Sequence, residues 1–351
     1  MNPDQPQVDE DANGNAMGES LIRCTNGSGG QLNTSSFKAF TPSPGTANVN
    51  CVTLDGYYNS ADPSNAQTLR VSLHEIIDDH CSFNYSGPSS GSCGDPSVSE
   101  DTWTILFNAD QAPTMDVCDN GNQSIEFVWM VYMNNDYCFQ GGGQQAYNRE
   151  HTWPQSYGFS TGALGSNNTA RTDAHHLMMS DVGYNGDRDN LYFDDCNAQC
   201  NERPTDVHEN PNPGGTTVGG GSGVYPGNSN WFDSNSFEVW NFRKGDIARA
   251  MFYMDVRYAG DTTGEVDLQL TDNASLISIG DPYMGLLSTL LEWHLADPVD
   301  DIEQIRNDFI FTKQLNRNPF IDHPEWVECI FVMGGECSTT DNDLIFADGF
   351  E

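Results

Sequence analysis

Hydrophobic residues recur at a spacing of three to four along several stretches of the chain, and this spacing predicts amphipathic helices. The predicted helices cover residues 62–79, 244–258, 280–294 and 300–314. Ser64 is the predicted N-cap of the first helix, because a short polar side chain there precedes the apolar periodicity. The expected apolar positions of the first, second and fourth helices are Leu69, Val71, Leu73, Ile76 and Ile77; Ile247, Ala250, Met251, Met254 and Val256; and Ile302, Ile305, Phe309 and Ile310.

Aromatic and β-branched residues concentrate in residues 102–107 and 125–132 and predict two β-strands. By contrast, residues 196–235 are poor in hydrophobic side chains and rich in Gly, Asn and Pro, which predicts a long surface loop. Residues 21–55 mix short apolar stretches with Gly, Ser, Thr and Asn, as expected of a small β-rich appendage or an ordered N-terminal arm. The fold class predicted from these elements is α+β.

The two ends of the chain differ in composition from the rest. Residues 1–20 are polar and acidic and are expected to be disordered, because they cannot bury enough apolar surface to offset the entropy lost on folding. Residues 338–351 are expected to form an acidic tail. Between the ends, the pattern predicts the small arm at 21–55 and one main domain at 56–337.

The charge balance is strongly acidic. The 351 residues include 51 acidic and only 14 basic side chains, for a formal net charge of −37. Mutual repulsion at this charge lowers stability and is screened by salt, which indicates a saline or calcium-containing medium. Taken alone, the charge argues against a nucleic-acid substrate, because proteins that bind nucleic acid usually carry a basic stripe.

The cysteines and the absence of long apolar runs bear on location. Ten cysteines, an even number, predict disulfides and an oxidising compartment, and none has the CxxC spacing of a zinc site. No apolar run reaches the roughly 20 residues that cross a bilayer. Met1 leads directly into a polar segment, so we expect a monomeric secreted or periplasmic protein whose signal peptide has been removed, without a membrane partner. Pairing of neighbours predicts the disulfides Cys24–Cys51, Cys81–Cys93, Cys118–Cys138, Cys196–Cys200 and Cys329–Cys337.

The most informative segment is NREHTWP at 148–154, in which a carboxylate and an imidazole are adjacent. Adjacent side chains point to opposite faces of a strand. At a strand end followed by a turn, however, Glu150 and His151 could act on one metal-bound phosphate, the first as metal ligand and the second as proton acceptor. Pro154 and Gly158 favour such a turn.

A second segment adds potential metal ligands and an arginine. It comprises TDAHHL at 172–177 and SDVGYNGDRDN at 180–190. Each signal alone has an ordinary explanation, because a Glu-His pair is more often a solvated surface pair and NGDRDN could belong to a calcium loop. That loop lacks the Glu that an EF-hand requires at its twelfth position, and the zinc-peptidase motif HExxH is absent.

Together, the strings YNREHTWPQS and DAHHLMMSDVGYNGDRDN resemble the bacterial endonuclease I family, within the ββα-metal (His-Me finger) nuclease superfamily. The strings RKGDIARAMFYMDVRY and LLEWHLADPVDDIEQIRNDFIFTKQLNRNPFIDHPEW match as well, so the resemblance covers about residues 56–328. It implies that 56–337 is a mostly helical α+β catalytic domain with disulfide-stapled loops. A ββα-metal unit is expected within it at about 145–195.

The resemblance also implies roles for individual residues. Glu150 and Asn185 correspond to metal ligands, and His151 corresponds to the general base. Mg²⁺ suits such a site because it prefers oxygen ligands and retains several waters, and Mn²⁺ or Ca²⁺ could replace it. His151 would deprotonate the attacking water, and the products would carry 5′-phosphate and 3′-hydroxyl ends.

An arginine is expected near the scissile phosphate, because a planar guanidinium binds phosphate through two hydrogen bonds. Arg171 is the first candidate and Arg188 the second, although Arg188 could equally hold its helix by pairing with Asp187 or Asp189. Arg149 lies on the strand face opposite the carboxylate and is expected to be structural.

Four further positions near the motifs have less specific expectations. His175 is expected to pack or to orient a ligand, whereas His176 is expected to be structural. Trp153 is expected to belong to the core rather than to stack on bases. The segment at 316–322 is expected to be a turn that docks on the core.

The predicted function is therefore a secreted, metal-dependent endonuclease without sequence specificity, acting on DNA, with RNA open as a second substrate. Phosphate contacts and a metal suffice for such cleavage, and salt would screen the repulsion between nucleic acid and an acidic enzyme. We therefore expect salt tolerance and an activity optimum at raised salt. Two alternatives stay open: a non-catalytic calcium- or carbohydrate-binding module on a nuclease scaffold, and a phosphodiesterase for small esters.

Overall fold

The computed structural model describes residues 20–23, 37–40, 56–87, 100–111, 127–138, 146–159, 169–196, 199–209, 216–261, 265–332, 334–335 and 337. The expectations for residues 1–19 and for the acidic tail at 338–351 therefore lie outside the described residues. The same holds for most of the predicted arm, of which two paired strands are described.

Eight helices occur within these ranges and dominate the fold. They are α1 (Ala66–Ile77), α2 (Thr102–Ala109), α3 (Val182–Arg188), α4 (Lys244–Arg257), α5 (Leu287–Ala296), α6 (Asp301–Gln314), α7 (Pro319–Asp322) and α8 (Glu325–Phe331). Turns of 3-10 helix lie at Thr169–Thr172, Asn241–Arg243 and Ala274–Leu276.

Short strands in the same part of the chain form several small sheets. They are β1 (Ser20–Arg23), β2 (Phe37–Phe40), β3 (Phe127–Met130), β4 (Asn135–Cys138), β5 (Tyr147–His151), β6 (Leu177–Asp181), β7 (Tyr192–Phe193), β8 (Asn201–Pro204), β9 (His208–Glu209), β10 (Thr217–Val218), β11 (Ser229–Phe232), β12 (Ser236–Glu238), β13 (Gln269–Leu270) and β14 (Tyr283–Met284). The largest sheet has the order β7-β12-β11-β8, with β7 and β12 parallel and the other neighbours antiparallel. The remaining strands pair in twos, and the predicted α+β class is confirmed.

The first predicted helix is present as α1, but its N-cap is Asn65 rather than Ser64. The Asn65 side chain accepts hydrogen bonds from the N–H groups of Gln67 and Thr68, and Thr68 Oγ1 completes a capping box. Ser64 instead belongs to the turn before the helix, where its N–H and hydroxyl groups both donate hydrogen bonds to Asp62. The prediction is wrong because two adjacent polar residues compete for the cap, and the local turn decides between them.

The segment predicted as a strand at 102–107 forms the helix α2 instead. Asp101 caps this helix by accepting a hydrogen bond from the Thr104 N–H. The apolar side chains of α2 pack against α6 and β6. Helical burial of these residues outweighs their preference for strands, which depends strongly on context.

Other departures concern boundaries and exposure. Residues 280–286 precede α5 and contain β14, whereas they were expected to be helical. The segment at 196–235 is not a continuous loop, because its polar residues pair through the backbone in β8 to β11. Val71 and Ile305, which were expected to be buried, are 46% and 42% exposed, so the apolar faces are narrower than the periodicity predicts.

Helix α4 confirms its prediction and lies at the centre of the hydrophobic core. Every residue from Ile247 to Arg257 is buried, and α1, α5 and α7 pack around the helix. A helix buried on all sides needs partners for its charged side chains. Arg249 accordingly donates to Glu303 on α6 through two nitrogen atoms, and Asp255 pairs with Arg70 on α1.

The β5–β6 hairpin is held in place by side chains from α6 and from the end of α2. Asp110 accepts hydrogen bonds from the Met179 N–H at 2.8 Å and from Arg306 Nε at 2.7 Å. Arg306 also donates to the carbonyls of Ala174 and Leu177. Because these contacts are buried and partly ionic, they fix the hairpin relative to α6.

Disulfides are present in the structure, as predicted. Two of the predicted pairs are present, Cys196–Cys200 and Cys329–Cys337. Cys81 and Cys138 are also disulfide-bonded, and the other cysteines lie outside the described residues. In the described part of the chain, no helix is long and apolar enough to span a bilayer.

Candidate active site

A hairpin and the helix that follows it contain most of the predicted site. β5 and β6 are antiparallel, with Glu150 opposite Met178. α3 begins directly after β6, because the side chain of Asp181 accepts hydrogen bonds from N–H groups in its first turn. The chain thus forms a ββα unit within the predicted range of 145–195.

One face of this unit brings together Asn148, Glu150, Asn185 and Arg188. The first two are two residues apart on a strand and the last two are three apart on a helix, so each pair shares a face. Asn185 Nδ2 donates to Asn148 Oδ1 at 2.7 Å. Arg188 Nε lies 3.2 Å from Glu150 Oε1, so two side-chain pairs join α3 to β5.

Glu150 is a buried carboxylate whose two oxygen atoms have different surroundings. Oε1 accepts a hydrogen bond from Tyr132 at 2.8 Å and faces Arg188, whereas no described residue donates to Oε2. Burial raises the pKa of Glu150 to about 7, against the opposing effects of Arg188 and Tyr132. A carboxylate in this state would be stabilised in its charged form by a cation at Oε2.

The opposite face of β5 carries Arg149 and His151, which both contact the ring of Tyr85. The Arg149 guanidinium lies 3.4 Å from the ring centroid and donates to the Tyr85 carbonyl and to Thr102 Oγ1. The His151 ring stacks on Tyr85 with 5.6 Å between centroids and 21° between planes. Strand alternation is therefore kept, and Glu150 and His151 point to opposite sides of β5.

His151 is held in one tautomer by the backbone. Nε2 lies 3.0 Å from the carbonyl oxygen of Arg171, and a carbonyl only accepts hydrogen bonds, so Nε2 carries the proton and Nδ1 the lone pair. Burial lowers the pKa of His151 well below its ordinary value, and the nearby His176 lowers it further. The imidazole is therefore neutral at pH 7, with its basic nitrogen not bonded to any described residue.

Arg171, the first arginine candidate, lies beside this imidazole. Its guanidinium is 3.9 Å from the Tyr85 ring centroid, and its Nε donates to Gln155 Oε1 at 3.1 Å. The side chain is partly exposed. The carbonyl of Arg171 thus contacts His151, and its guanidinium lies on the same side of β5 as that histidine.

Arg188, the second arginine candidate, is wholly buried. In addition to its contact with Glu150, it donates to the carbonyls of Thr152 at 2.7 Å and Asp189 at 2.9 Å. Asp187, a carboxylate considered as its partner, instead pairs with Arg203. The guanidinium is therefore directed inward, towards the carboxylate of the site.

The Asp-Ala-His-His segment at 173–176 precedes β6 and is buried against α4 and the end of α6. Asp173 accepts hydrogen bonds from the hydroxyls of Tyr253 and Tyr258, the amide of Gln314 and the backbone N–H of His175. His175 Nε2 and His176 Nε2 lie within hydrogen-bonding distance of the backbone carbonyls of Asn316 and Ala170. Burial lowers the pKa of both histidines to about 4.

Two contact residues of the site are not identified by sequence analysis. Tyr132 lies in the turn after β3, within a segment predicted to be strand to its end, and Tyr85 lies in the loop between α1 and α2. No local pattern connects either tyrosine to the Glu-His pair. Asn148 could have been found, because strand periodicity places it on the same face as Glu150.

Among the described residues, two sets of side chains could hold a metal ion. Glu150 Oε2 and Asn185 Oδ1 have no described hydrogen-bond donor, and oxygen ligands fit Mg²⁺. Separately, His74, Asp78 and Asp261 each place a ligand atom within 4.8 Å of the others. Sequence analysis does not identify the second set, because Asp261 is distant in sequence from the other two residues.

Comparison with known proteins places this geometry in context. The family model described as Endonuclease I matches residues 65–325. A protein named extracellular ribonuclease from Bacillus subtilis (strain 168) is 36% identical over 280 residues, which cover 79% of this chain and 78% of that protein. An extracellular ribonuclease from Bacillus amyloliquefaciens is 34% identical over 278 residues, which cover 78% of each chain. The matched regions include the whole ββα unit.

Proposed function

Because the chain belongs to the endonuclease I family, we propose that it is an extracellular, metal-dependent endonuclease that cleaves RNA and DNA without sequence specificity. Family membership makes it a phosphodiester hydrolase with a nucleic-acid substrate. The names of the two relatives support an extracellular location and RNA as a main substrate, beside the DNA expected from the sequence. The disulfides agree with an oxidising compartment.

One observation carries the proposal. The last two residues of β5 each keep one reactive atom without a described hydrogen-bond partner, Glu150 Oε2 on the face shared with Asn185 and His151 Nδ1 on the other. We propose that the scissile phosphate lies across the end of β5, within reach of both atoms. Buried titratable groups with shifted pKa values in this arrangement are typical of functional sites.

His151 acts as the general base in this proposal. Nδ1 accepts a proton from a water that attacks phosphorus in line with the leaving 3′ oxygen, which leaves 5′-phosphate and 3′-hydroxyl ends. The carbonyl of Arg171 keeps the other proton on Nε2 and so maintains the orientation of the ring. Because its pKa is lowered, His151 stays unprotonated at neutral pH.

Glu150 Oε2 and Asn185 Oδ1 would hold Mg²⁺, for which Mn²⁺ or Ca²⁺ could substitute. When bound, the cation stabilises the charge that develops on the phosphate and the leaving oxygen. Tyr132 and Arg188 occupy Oε1 and thereby leave Oε2 for the cation. Arg188 is therefore proposed as a positioning residue for Glu150.

Arg171 is the arginine proposed to contact the scissile phosphate. It is partly exposed, whereas Arg188 is buried, and it lies on the same side of β5 as the general base. The ring of Tyr85 supports both its guanidinium and the imidazole of His151. A guanidinium in this place would neutralise phosphate charge through hydrogen bonds.

The experiment that tests the function is digestion of supercoiled plasmid and of folded RNA by the oxidised full chain, with Mg²⁺ or with EDTA. We expect cleavage of both polymers that requires the cation and that falls by about 10²–10⁴-fold in His151→Ala. His208→Ala is a matched control, because this histidine lies on β9 and contacts Trp129 rather than the site.

Two outcomes would contradict the proposal. Hydrolysis of a small phosphodiester without cleavage of either polymer would indicate the alternative phosphodiesterase. No hydrolysis with Mg²⁺, Mn²⁺ or Ca²⁺ at any salt concentration would indicate a binding module on a nuclease scaffold.

A further inference from the structure

A second group of ligand-type side chains lies where the end of α1 meets the chain after α4. His74 and Asp78 are four residues apart at the C-terminal end of α1, so they lie on one face of that helix. Asp261 follows α4 after a tight turn in which Gly260 has a φ of +70°. The three side chains place one ligand atom each within 4.8 Å of one another.

The orientation of His74 shows that this group is more than two neighbouring carboxylates. Its Nδ1 lies 2.9 Å from the carbonyl oxygen of Val256, so Nδ1 carries a proton. Its Nε2 is buried, makes no hydrogen bond within the described structure and lies 2.9 Å from Asp261 Oδ2. The His74 side chain is 8% exposed, so its second nitrogen is aimed from the interior into the cluster.

Two acceptor atoms cannot face each other at this distance without a positive species that both can bind. In the neutral imidazole of His74, the lone pair of Nε2 would point at a carboxylate oxygen of Asp261. Asp78 adds a second carboxylate to the same space. Either a proton on Nε2 or a cation between the three side chains would remove the conflict.

We propose that His74, Asp78 and Asp261 bind a Zn²⁺ ion that joins the end of α1 to the segment after α4. One imidazole nitrogen with two carboxylate oxygens is a donor set that zinc accepts, with water as the fourth ligand. The imidazole disfavours Ca²⁺ and Mg²⁺, which prefer oxygen ligands alone. The hydrogen bond from Nδ1 to the Val256 carbonyl fixes the ring, as is usual for a histidine that ligates a metal.

This zinc site is separate from the proposed catalytic centre. None of its three ligands belongs to the proposed catalytic centre, which contains Glu150, Asn185 and His151. Its ligands come from α1 and from the segment after α4, and α1 packs directly on α4, the central helix of the core. A cation there would cancel the charges of Asp78 and Asp261 and hold the turn at Gly260 against α1.

The test measures Zn²⁺ binding by the metal-free full chain through calorimetric titration, together with thermal unfolding. We expect the wild type to bind one more Zn²⁺ than Asp261→Asn. At zinc concentrations of about 100 times Kd, the wild-type Tm should rise by about 3–6 °C more than that of the variant. Asp79→Asn is the control, because it removes a neighbouring exposed carboxylate outside the cluster and should bind zinc like the wild type.

His74→Gln is a second variant that removes the nitrogen ligand, and it should likewise bind one Zn²⁺ fewer than the wild type. Because His74 is buried and Asp261 is 55% exposed, Asp261→Asn is the variant that leaves the core intact. Equal zinc stoichiometry and equal Tm shifts in wild type and Asp261→Asn would overturn the proposal and assign the contact to a protonated His74 paired with Asp261. Because neither readout depends on hydrolysis, failure here is distinguishable from failure of the proposed nuclease function.

Discussion

Glu150 and Asp173 are both buried carboxylates with a histidine one or two positions later in the sequence, yet their surroundings differ. Asp173 accepts four hydrogen bonds that engage both of its oxygen atoms. Glu150 has two partners, Tyr132 and Arg188, and both face the same oxygen. Both oxygen atoms of Asp173 therefore accept hydrogen bonds from the protein, whereas Oε2 of Glu150 accepts none from the described residues.

The pKa values of the two groups are shifted in opposite directions, in line with this difference in hydrogen bonding. Burial raises the pKa of Glu150 to about 7, because Arg188 and Tyr132 compensate only in part. Burial would also raise the pKa of Asp173, but His80, His175 and the amide of Gln314 outweigh it and lower the pKa below its ordinary value. The saturated carboxylate of Asp173 stabilises the fold, whereas the remaining oxygen atom of Glu150 suits the metal-binding role proposed for it.

The largest expected effect separates the two carboxylates by activity. Glu150→Gln should lower kcat/KM by about 10³-fold, equivalent to about 4 kcal/mol of transition-state stabilisation, because a proposed metal ligand is lost. Asp173→Asn should stay within about tenfold of wild type per folded molecule. Initial rates on plasmid and RNA, normalised to the folded fraction from circular dichroism, measure both. Similar losses in the two variants would remove the functional distinction.

The second prediction compares the same positions by stability. Asp173→Ala should lower the free energy of unfolding by about 3–5 kcal/mol, because it leaves four buried donors without their acceptor. Glu150→Gln should cost about 1–2 kcal/mol, since the amide oxygen can still accept from Tyr132. Urea titration of both variants measures the difference, and a larger loss for Glu150→Gln would reverse the assignment.

The third prediction concerns the pH dependence of Mg²⁺ binding. Because the folded pKa of Glu150 is raised from 4.5 to about 7, this group stabilises the metal-free fold at low pH, and that contribution is lost as the pH rises through 7. Mg²⁺ competes with the same proton, so its affinity should rise about tenfold per pH unit below 7 and level off above it. Calorimetric titration from pH 5.5 to 8.5 checks this, and Glu150→Gln should abolish the slope. A flat wild-type profile would show that Glu150 does not bind the cation.

The smallest expected effect concerns salt. Most of the 14 basic side chains are already paired with acidic groups, so few cations remain to attract nucleic acid. We expect activity to rise about two- to fivefold as NaCl increases from about 50 mM, because salt screens the repulsion at long range. Rates on plasmid across a salt series test this, and a steady fall from the lowest salt concentration would contradict it.

Within the fold, the predictions that succeeded rest on long and regular periodicity. α4 and α6 were expected within a residue or two of their observed bounds, because apolar spacing over fourteen residues leaves little ambiguity. The predicted strand at 102–107 is a helix, in which Ile105, Leu106 and Phe107 are buried and which packs against α6 and β6. Short apolar segments take their structure from what packs against them.

The sequence by itself was enough to recognise the family, because the order and spacing of its motifs are local. Through that resemblance it also led us to expect the ββα unit and the roles of Glu150, His151 and Asn185. Tertiary structure decided which polar atoms are satisfied. Tyr132, Tyr85 and Asp261 reach their partners across distances in the chain that no local pattern encodes. Hydrogen bonding and burial act through space, so only the folded chain distinguishes a carboxylate that supports the core from one with an oxygen atom left for the proposed cation.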